Sequence, residues 1–179
     1  MTTESAKIPA HSAATRPALA ASLAVVLIAV VAIAGAWFFQ LVLKLQPCPL
    51  CLEQRYAYYL AIPLGVLTAI AARGGAPRVV LLAGLAVLAL ATLANAGLGA
   101  YHSGVEWGFW QGPTDCSGPL VDFGSAKDLL SQLDTAKVVR CDEVQWRFLG
   151  LSLAGYNVLI SLLMSAIAVW GFVKTARRG

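Results

Sequence analysis

The sequence predicts an all-α integral membrane protein: a bundle of four transmembrane helices, with a short amphipathic helix in the second of two external loops. Three observations carry this. Hydrophobic residues make up 59 % of the 179 residues and charged residues only 12 %, whereas soluble domains carry about 25 % charged residues. The apolar residues gather into four stretches without a single charge. The basic residues then sort to one side of those stretches. Such a composition, with a mean hydropathy of +0.73, excludes a disordered chain, an ordinary cytosolic enzyme and a nucleic-acid binder. The net charge of +4 reads as membrane topology rather than as a surface for an anionic partner.

The four stretches are residues 19–39, 56–72, 79–100 and 149–173. A hydrocarbon core of about 30 Å needs roughly 20 helical residues, with about 17–25 tolerated. The second stretch is the shortest and contains Pro63, but the residues before it can extend its helix outward. Barrel strands would alternate apolar with polar over about 10 residues; these runs are continuously apolar and rich in Ala and Leu. The first run is longer than a signal-peptide core of about 7–15 residues, so it is read as a span that stays in the protein. The organisation is then a polar N-terminal tail (1–17), one four-span unit (18–173) with loops at 40–55 and 101–148, and a C-terminal tail (174–179).

Lys and Arg in short loops set the orientation. Lys7, Arg16, Arg73, Arg78, Lys174, Arg177 and Arg178 face one side, opposed there only by Glu4. That side is the cytoplasm, so both termini lie inside and the 40–55 and 101–148 loops outside. Asn95, Asn157, Ser152, Ser161 and Ser165 are read as interhelical hydrogen-bonding residues between packed spans. No Asp, Glu, Lys or His lies in mid-span, which argues against an ion-coupled transporter or a proton relay.

All four cysteines fall in the external loops. In a bacterium that is the periplasm, where disulfides persist. Cys48 and Cys51 form a C-x-x-C; Cys116 and Cys141 lie in the second loop. Three readings stay open on spacing alone. Two structural disulfides are one, although so short a loop as 48–51 gains little from closure. A four-thiolate zinc site is another, although Cys116 and Cys141 do not form a second tight knuckle. The third is a relay of two exchanging thiol pairs, the commoner use of a C-x-x-C. The neighbours favour the third. Pro47 and Pro49 hold the loop away from helix, and a helix starting near Cys51 places that thiol by the positive end of the macrodipole, which favours thiolate. Arg55, one turn on, shares its face and can stabilise both a thiolate and an anionic partner.

In the second loop, Gly112-Pro113 and Gly118-Pro119 bracket Cys116 on an irregular segment. Ser125-Ala126-Lys127-Asp128 reads as a helix start, after which Ala126, Leu129, Leu130 and Leu133 line one face. This is the amphipathic helix, lying on the membrane surface or packed on the loop's own residues.

At these residues the chain resembles the disulfide bond formation protein B (DsbB) family, bacterial membrane oxidases that reoxidise the periplasmic thiol oxidase DsbA using quinone. The resemblance covers residues 38–172. It rests on Pro47-Cys48-x-x-Cys51 with Arg55, on the pair Cys116 and Cys141, and on Gln145-Trp146-x-Phe148-Leu149-Gly150-Leu151. Tyr101-His102-Ser103-Gly104-Val105-Glu106 and Gly112-Pro113-Thr114-Asp115-Cys116 look like the versions of a DsbB-like subgroup. The resemblance implies that Cys116 forms the mixed disulfide with a DsbA-like thioredoxin-fold partner. Cys141 is then its loop mate, pairing transiently with Cys48. Cys51 faces the quinone, ubiquinone or menaquinone; Arg55 supports the thiolate and the quinone; His102 lines the same site. The location it implies is the bacterial inner membrane.

The chemistry has a physical logic. DsbA lies near about −120 mV, so a plain protein dithiol at roughly −200 mV cannot hold it oxidised, each 30 mV costing about 1.4 kcal/mol. A more oxidising quinone can, and it dissolves in lipid. That route is a known one, matched here through the resemblance. Rival readings are a vitamin K epoxide reductase-like oxidoreductase and a structural or zinc-binding membrane protein with four external thiols.

Overall fold

The computed structural model describes residues 10–113 and 140–178, with side chains from Thr15 onward. Cys116 and the amphipathic helix expected after Ser125 lie outside the described residues. The elements are α1 (Ala10–Leu41), α2 (Pro49–Arg73), α3 (Arg78–Glu106), a two-stranded hairpin of β1 (Arg147–Phe148) and β2 (Leu151–Ser152), and α4 (Leu153–Arg177). All four helices contain a segment long and apolar enough to cross a membrane. The protein is an all-α multi-pass membrane protein.

Each helix packs on the next, and α4 closes the ring against α1, leaving α1 and α3 diagonal. Large apolar side chains such as Leu67, Leu90, Leu93 and Leu163 point outward, the inverse of a soluble bundle. Inside, small residues let the backbones approach, because lipid supplies no hydrophobic drive for helix association. Two glycines show this at α1. A Cβ on Gly65 of α2 would collide with Val26, and one on Gly171 of α4 would collide with Ala21.

Among the described residues the interior holds three apolar clusters along the bundle. Ala18, Ala21, Ala72, Leu81 and Leu85 fill the end nearest the termini. Val25, Ala29, Tyr58, Leu88 and Met164 belong to the middle. Cys48, Leu50, Val105 and Cys141 close the other end. Among the middle residues sits a polar knot. Tyr58 Oη donates to Asn157 Oδ1 at 2.5 Å and lies 3.3 Å from Ser161 Oγ. Asn95 Nδ2 donates to Asn157 Oδ1 at 3.1 Å and to Ser161 Oγ at 2.9 Å. These bonds tie α2, α3 and α4 together. Ser165 Oγ adds a further tie to the Ala89 carbonyl at 3.1 Å.

The helices run past the charge-free stretches. α2 starts at Pro49 because proline suits the first helical position, where its missing N–H costs nothing. Cys48 is its N-cap, its sulfur accepting the Cys51 N–H at 3.2 Å. Thus Cys48, not Cys51, caps the positive end, and Cys51 lies in the first turn. α3 continues to Glu106, and the Trp107 and Phe109 amides close its last turn on the Ser103 and Gly104 carbonyls. Trp110 folds back to stack on Tyr101 at 5.9 Å.

α4 starts only at Leu153, because the preceding residues make a hairpin. Arg147 pairs with Ser152 and Phe148 with Leu151. The two turn residues, Leu149 and Gly150, have φ of 48° and 83°, the left-handed pair that matches the twist of a two-residue hairpin. Ser152 then caps α4, accepting the Gly155 N–H at 3.2 Å. Gly150→Ala places a second side chain in left-handed backbone, costing about 1–2 kcal/mol. The expected result is a thermal midpoint lower by about 2–8 °C in detergent; an unchanged midpoint would mean that this turn is not held.

Candidate functional site

A cavity of about 680 Å³ opens between α1, α2, α4 and the hairpin. Its long walls are apolar, built by Leu27, Ile28 and Val31 of α1 and Ile160 of α4. Aromatic rings close in toward the Cys48 end. Trp146 meets Phe39 edge-on at 4.9 Å, stacks on Phe148 at 5.9 Å and lies 6.3 Å from Tyr156. At that end the wall changes chemistry: Cys48, Cys51, Gln54 and Arg55 face the cavity. They reach it together because they occupy the N-cap and the first turns of one helix.

The sulfurs of Cys48 and Cys51 are both free thiols and lie 2.8 Å apart. Cys48 donates its S–H to the Cys51 sulfur, and this bond, with burial adding to it, pushes the Cys48 thiol up and keeps it protonated. Cys48 is buried and Cys51 half-buried. The outer member of the pair is therefore Cys51, its sulfur accepting from Cys48.

Arg55 also faces the cavity, but its hydrogen bond runs to α1. Its Nη1 donates to Gln40 Oε1 at 2.7 Å, and its guanidinium sits 5.6 Å from the Trp37 ring. One of its five donors is thus anchored, which fixes the fork at the mouth of the cavity.

His102 lies behind the thiol pair and does not line the cavity. Its Nε2 is 3.6 Å from Cys48 Sγ, and its Nδ1 is 2.7 Å from Gln54 Nε2. The ring also bonds to the Cys141 backbone. Glu106, one turn along α3, places Oε1 4.0 Å from the same Nε2. Its other oxygen accepts from Ser152 Oγ, tying the end of α3 to the start of α4. The ligand atoms of Cys48, Cys51 and His102 all lie within 4.8 Å of one another.

Cys141 is buried beside Cys48 and is disulfide-bonded. Thus five of the six residues singled out in the sequence meet at one end of the bundle: Cys48, Cys51, Arg55, His102 and Cys141. Gln40, Gln54, Tyr58 and Glu106 were not foreseen. Gln54 carried a usable signal, lying one residue before Arg55 and one turn after Cys51. Glu106 falls by sequence in the external loop 101–148, and only the extension of α3 turns it inward.

The family model for "Disulfide bond formation protein DsbB" matches residues 18–171. Several curated relatives carry the name Disulfide bond formation protein B. One from Polaromonas sp. (strain JS666 / ATCC BAA-500) is 30 % identical, covering 87 % of this chain and 89 % of the relative. One from Nitrosococcus oceani is 31 % identical, with 80 % and 83 % covered. One from Marinobacter nauticus is 33 % identical, with 79 % and 84 % covered. No solved structure matches the chain. With a match across the four-helix unit and relatives of the same extent, the chain belongs to the DsbB family, the membrane oxidoreductases of disulfide bond formation.

Proposed function

We propose that this oxidoreductase reoxidises a DsbA-like thioredoxin-fold protein on the periplasmic side of the bacterial inner membrane and passes the electrons to a membrane quinone. The observation that carries the reading is the free thiol pair at the polar end of an apolar cavity between spanning helices. A flat ring fits between walls bearing Phe39, Trp146 and Tyr156, an isoprenoid tail fits Ile28, Val31 and Ile160, and Arg55 offers a fixed donor to a ring oxygen. When bound, a quinone takes up two electrons and two protons.

The chain's own residues then divide the work. Cys51 presents its sulfur to the cavity, and Cys48 holds its proton until the pair oxidises to a disulfide. Arg55 orients the ring and balances negative charge there. His102 acts from behind, on Cys48. Cys141, packed beside Cys48, supports exchange from the loop pair to the Cys48–Cys51 pair, with Cys116 as the residue that meets the partner. The excess of basic residues near the termini supports an orientation with both ends in the cytoplasm.

The test uses purified protein in detergent, without oxygen, given a reduced thioredoxin-fold partner and a short-tailed ubiquinone or menaquinone. Expected is one quinol per partner disulfide formed, with Cys51→Ser stopping quinone reduction. Partner thiols consumed with the quinone untouched would overturn the acceptor; no consumption of either would overturn the activity.

A further inference from the structure

We propose that the reduced Cys48–Cys51 pair, with His102, forms a binding site for a thiophilic divalent cation, zinc above all, and that the bound cation withdraws both thiols from electron transfer. The geometry is close to a zinc site already. Zn–S is about 2.3 Å and Zn–N about 2.0–2.1 Å in a tetrahedron, so a sulfur and an imidazole nitrogen on one zinc stand about 3.5–3.6 Å apart. The Cys48 Sγ to His102 Nε2 distance is 3.6 Å.

The second edge needs adjustment. Two thiolates on one zinc are separated by about 3.8 Å, and the sulfurs here lie 2.8 Å apart. Rotation of Cys51 supplies the difference, since both sulfurs border the cavity but Cys51 is only half-buried whereas Cys48 is buried. The third edge, from Cys51 to His102, is within 4.8 Å. Glu106 Oε1, 4.0 Å from Nε2, or a water, completes the tetrahedron.

The surroundings suit a ligand histidine. A zinc-bound imidazole usually gives its other N–H to a neighbouring acceptor, which fixes the ring and raises its basicity. Gln54 occupies that position, 2.7 Å from Nδ1. With zinc on Nε2 the ring proton sits on Nδ1, and a half-turn of the Gln54 carboxamide brings its oxygen to accept it.

The step balances without an oxidant. Two thiols and one Zn²⁺ give a bis-thiolate complex, and two protons leave to solvent. Nothing is oxidised or reduced. A disulfide offers no such thiolates, so occupancy requires the reduced pair. The site therefore reports redox state and cation supply together, and its filling halts turnover at the reduced stage.

Cobalt(II) is the probe, because tetrahedral Co²⁺ with thiolate ligands absorbs in both the near-ultraviolet and the visible. The protein is the full chain carrying Cys116→Ser and Cys141→Ser, so that Cys48 and Cys51 are its sole thiols, with the parent chain run in parallel. Expected are one Co²⁺ per reduced chain with both bands, displacement by one equivalent of Zn²⁺, and no bands after oxidation. His102→Ala should weaken binding by about tenfold or more, as loss of even an outer-shell partner costs about 10–100-fold. Absence of the thiolate band from the reduced chain would overturn the site. So would bands that persist after oxidation. Unchanged affinity in His102→Ala would remove the histidine from the ligand set and the proposal with it. Quinone reduction is not part of the readout, so this outcome and that of the oxidase assay are independent.

Discussion

Arg55→Gln should raise the apparent KM for quinone by about 10–100-fold while leaving a single round of partner oxidation nearly intact. A hydrogen bond from a charged donor contributes about 1.5–3 kcal/mol, and each 1.4 kcal/mol is about tenfold in affinity. Arg55 is anchored to Gln40 at 2.7 Å and faces the cavity beside Cys51, so its loss removes charge from the place where a reduced ring becomes negative. On the proposed route, exchange between the loop cysteines and the partner does not use that charge. Arg55→Lys should fall between the two, since it keeps the charge but loses the fork. Steady-state kinetics against quinone, paired with single-turnover thiol counting, separates the two stages. Equal quinone kinetics in Arg55→Gln and the parent would make Arg55 an interfacial anchor that does no more than hold α1.

Asn157→Leu should destabilise the bundle by about 2 kcal/mol. Asn157 Oδ1 receives hydrogen bonds from both Tyr58 and Asn95, and its Nδ2 reaches the Asn95 carbonyl at 3.5 Å. Hydrogen bonds between membrane helices average about 0.6 kcal/mol, with a maximum near about 1.7. Three connections at those values give the figure. Ser161→Ala should cost less, because Tyr58 and Asn95 keep their bonds to Asn157. Detergent-titration unfolding followed by tryptophan fluorescence measures both. A midpoint for Asn157→Leu equal to the parent's would show that the knot adds no net stability.

The spans were legible because lipid forbids unpaired backbone and unpaired charge, leaving a continuous apolar run as the only sequence that fits. Asn95, Asn157, Ser161 and Ser165 were legible for the same reason: a polar side chain in such a run must find a partner. Tyr58 was not. It sits among Tyr56 and Tyr59, where a tyrosine looks like an interfacial aromatic, and only the helix phase turns it to the knot. The C-x-x-C and Arg55 stood out by residue type and spacing, and His102 came only through the family resemblance. That His102 lies behind Cys48 rather than on the cavity wall depends on how far α3 continues, and helix length past an apolar run has no sharp sequence mark. The hairpin was hidden by Leu149, a residue that rarely takes a positive φ and gives no turn signal of its own.

The polar knot joins three helices and leaves out the fourth. Among the described residues, Ser22 of α1 bonds only within its own helix, to Ala18 and Leu19. Near the termini α1 is seated against Gly65 and Gly171. Farther along, from Leu27 to Gln40, it is a wall of the cavity. Its far end is fastened by the Arg55–Gln40 bond, by the Arg55 guanidinium against the Trp37 ring and by the Phe39–Trp146 ring contact. The bundle therefore resembles a door on a hinge. The socketed half of α1 is the pivot, and the Arg55–Gln40 bond is the latch. Swinging the outer half aside breaks the Arg55–Gln40 hydrogen bond, the Arg55–Trp37 and Phe39–Trp146 contacts and the packing of Ala29, Ala32 and Ile33 on the core, and it opens the cavity sideways into lipid. By that direction a molecule with a long apolar tail enters without dragging the tail through water. The latch is then held by the same arginine that faces the cavity beside Cys51, so on the proposed route entry and recognition fall to one side chain.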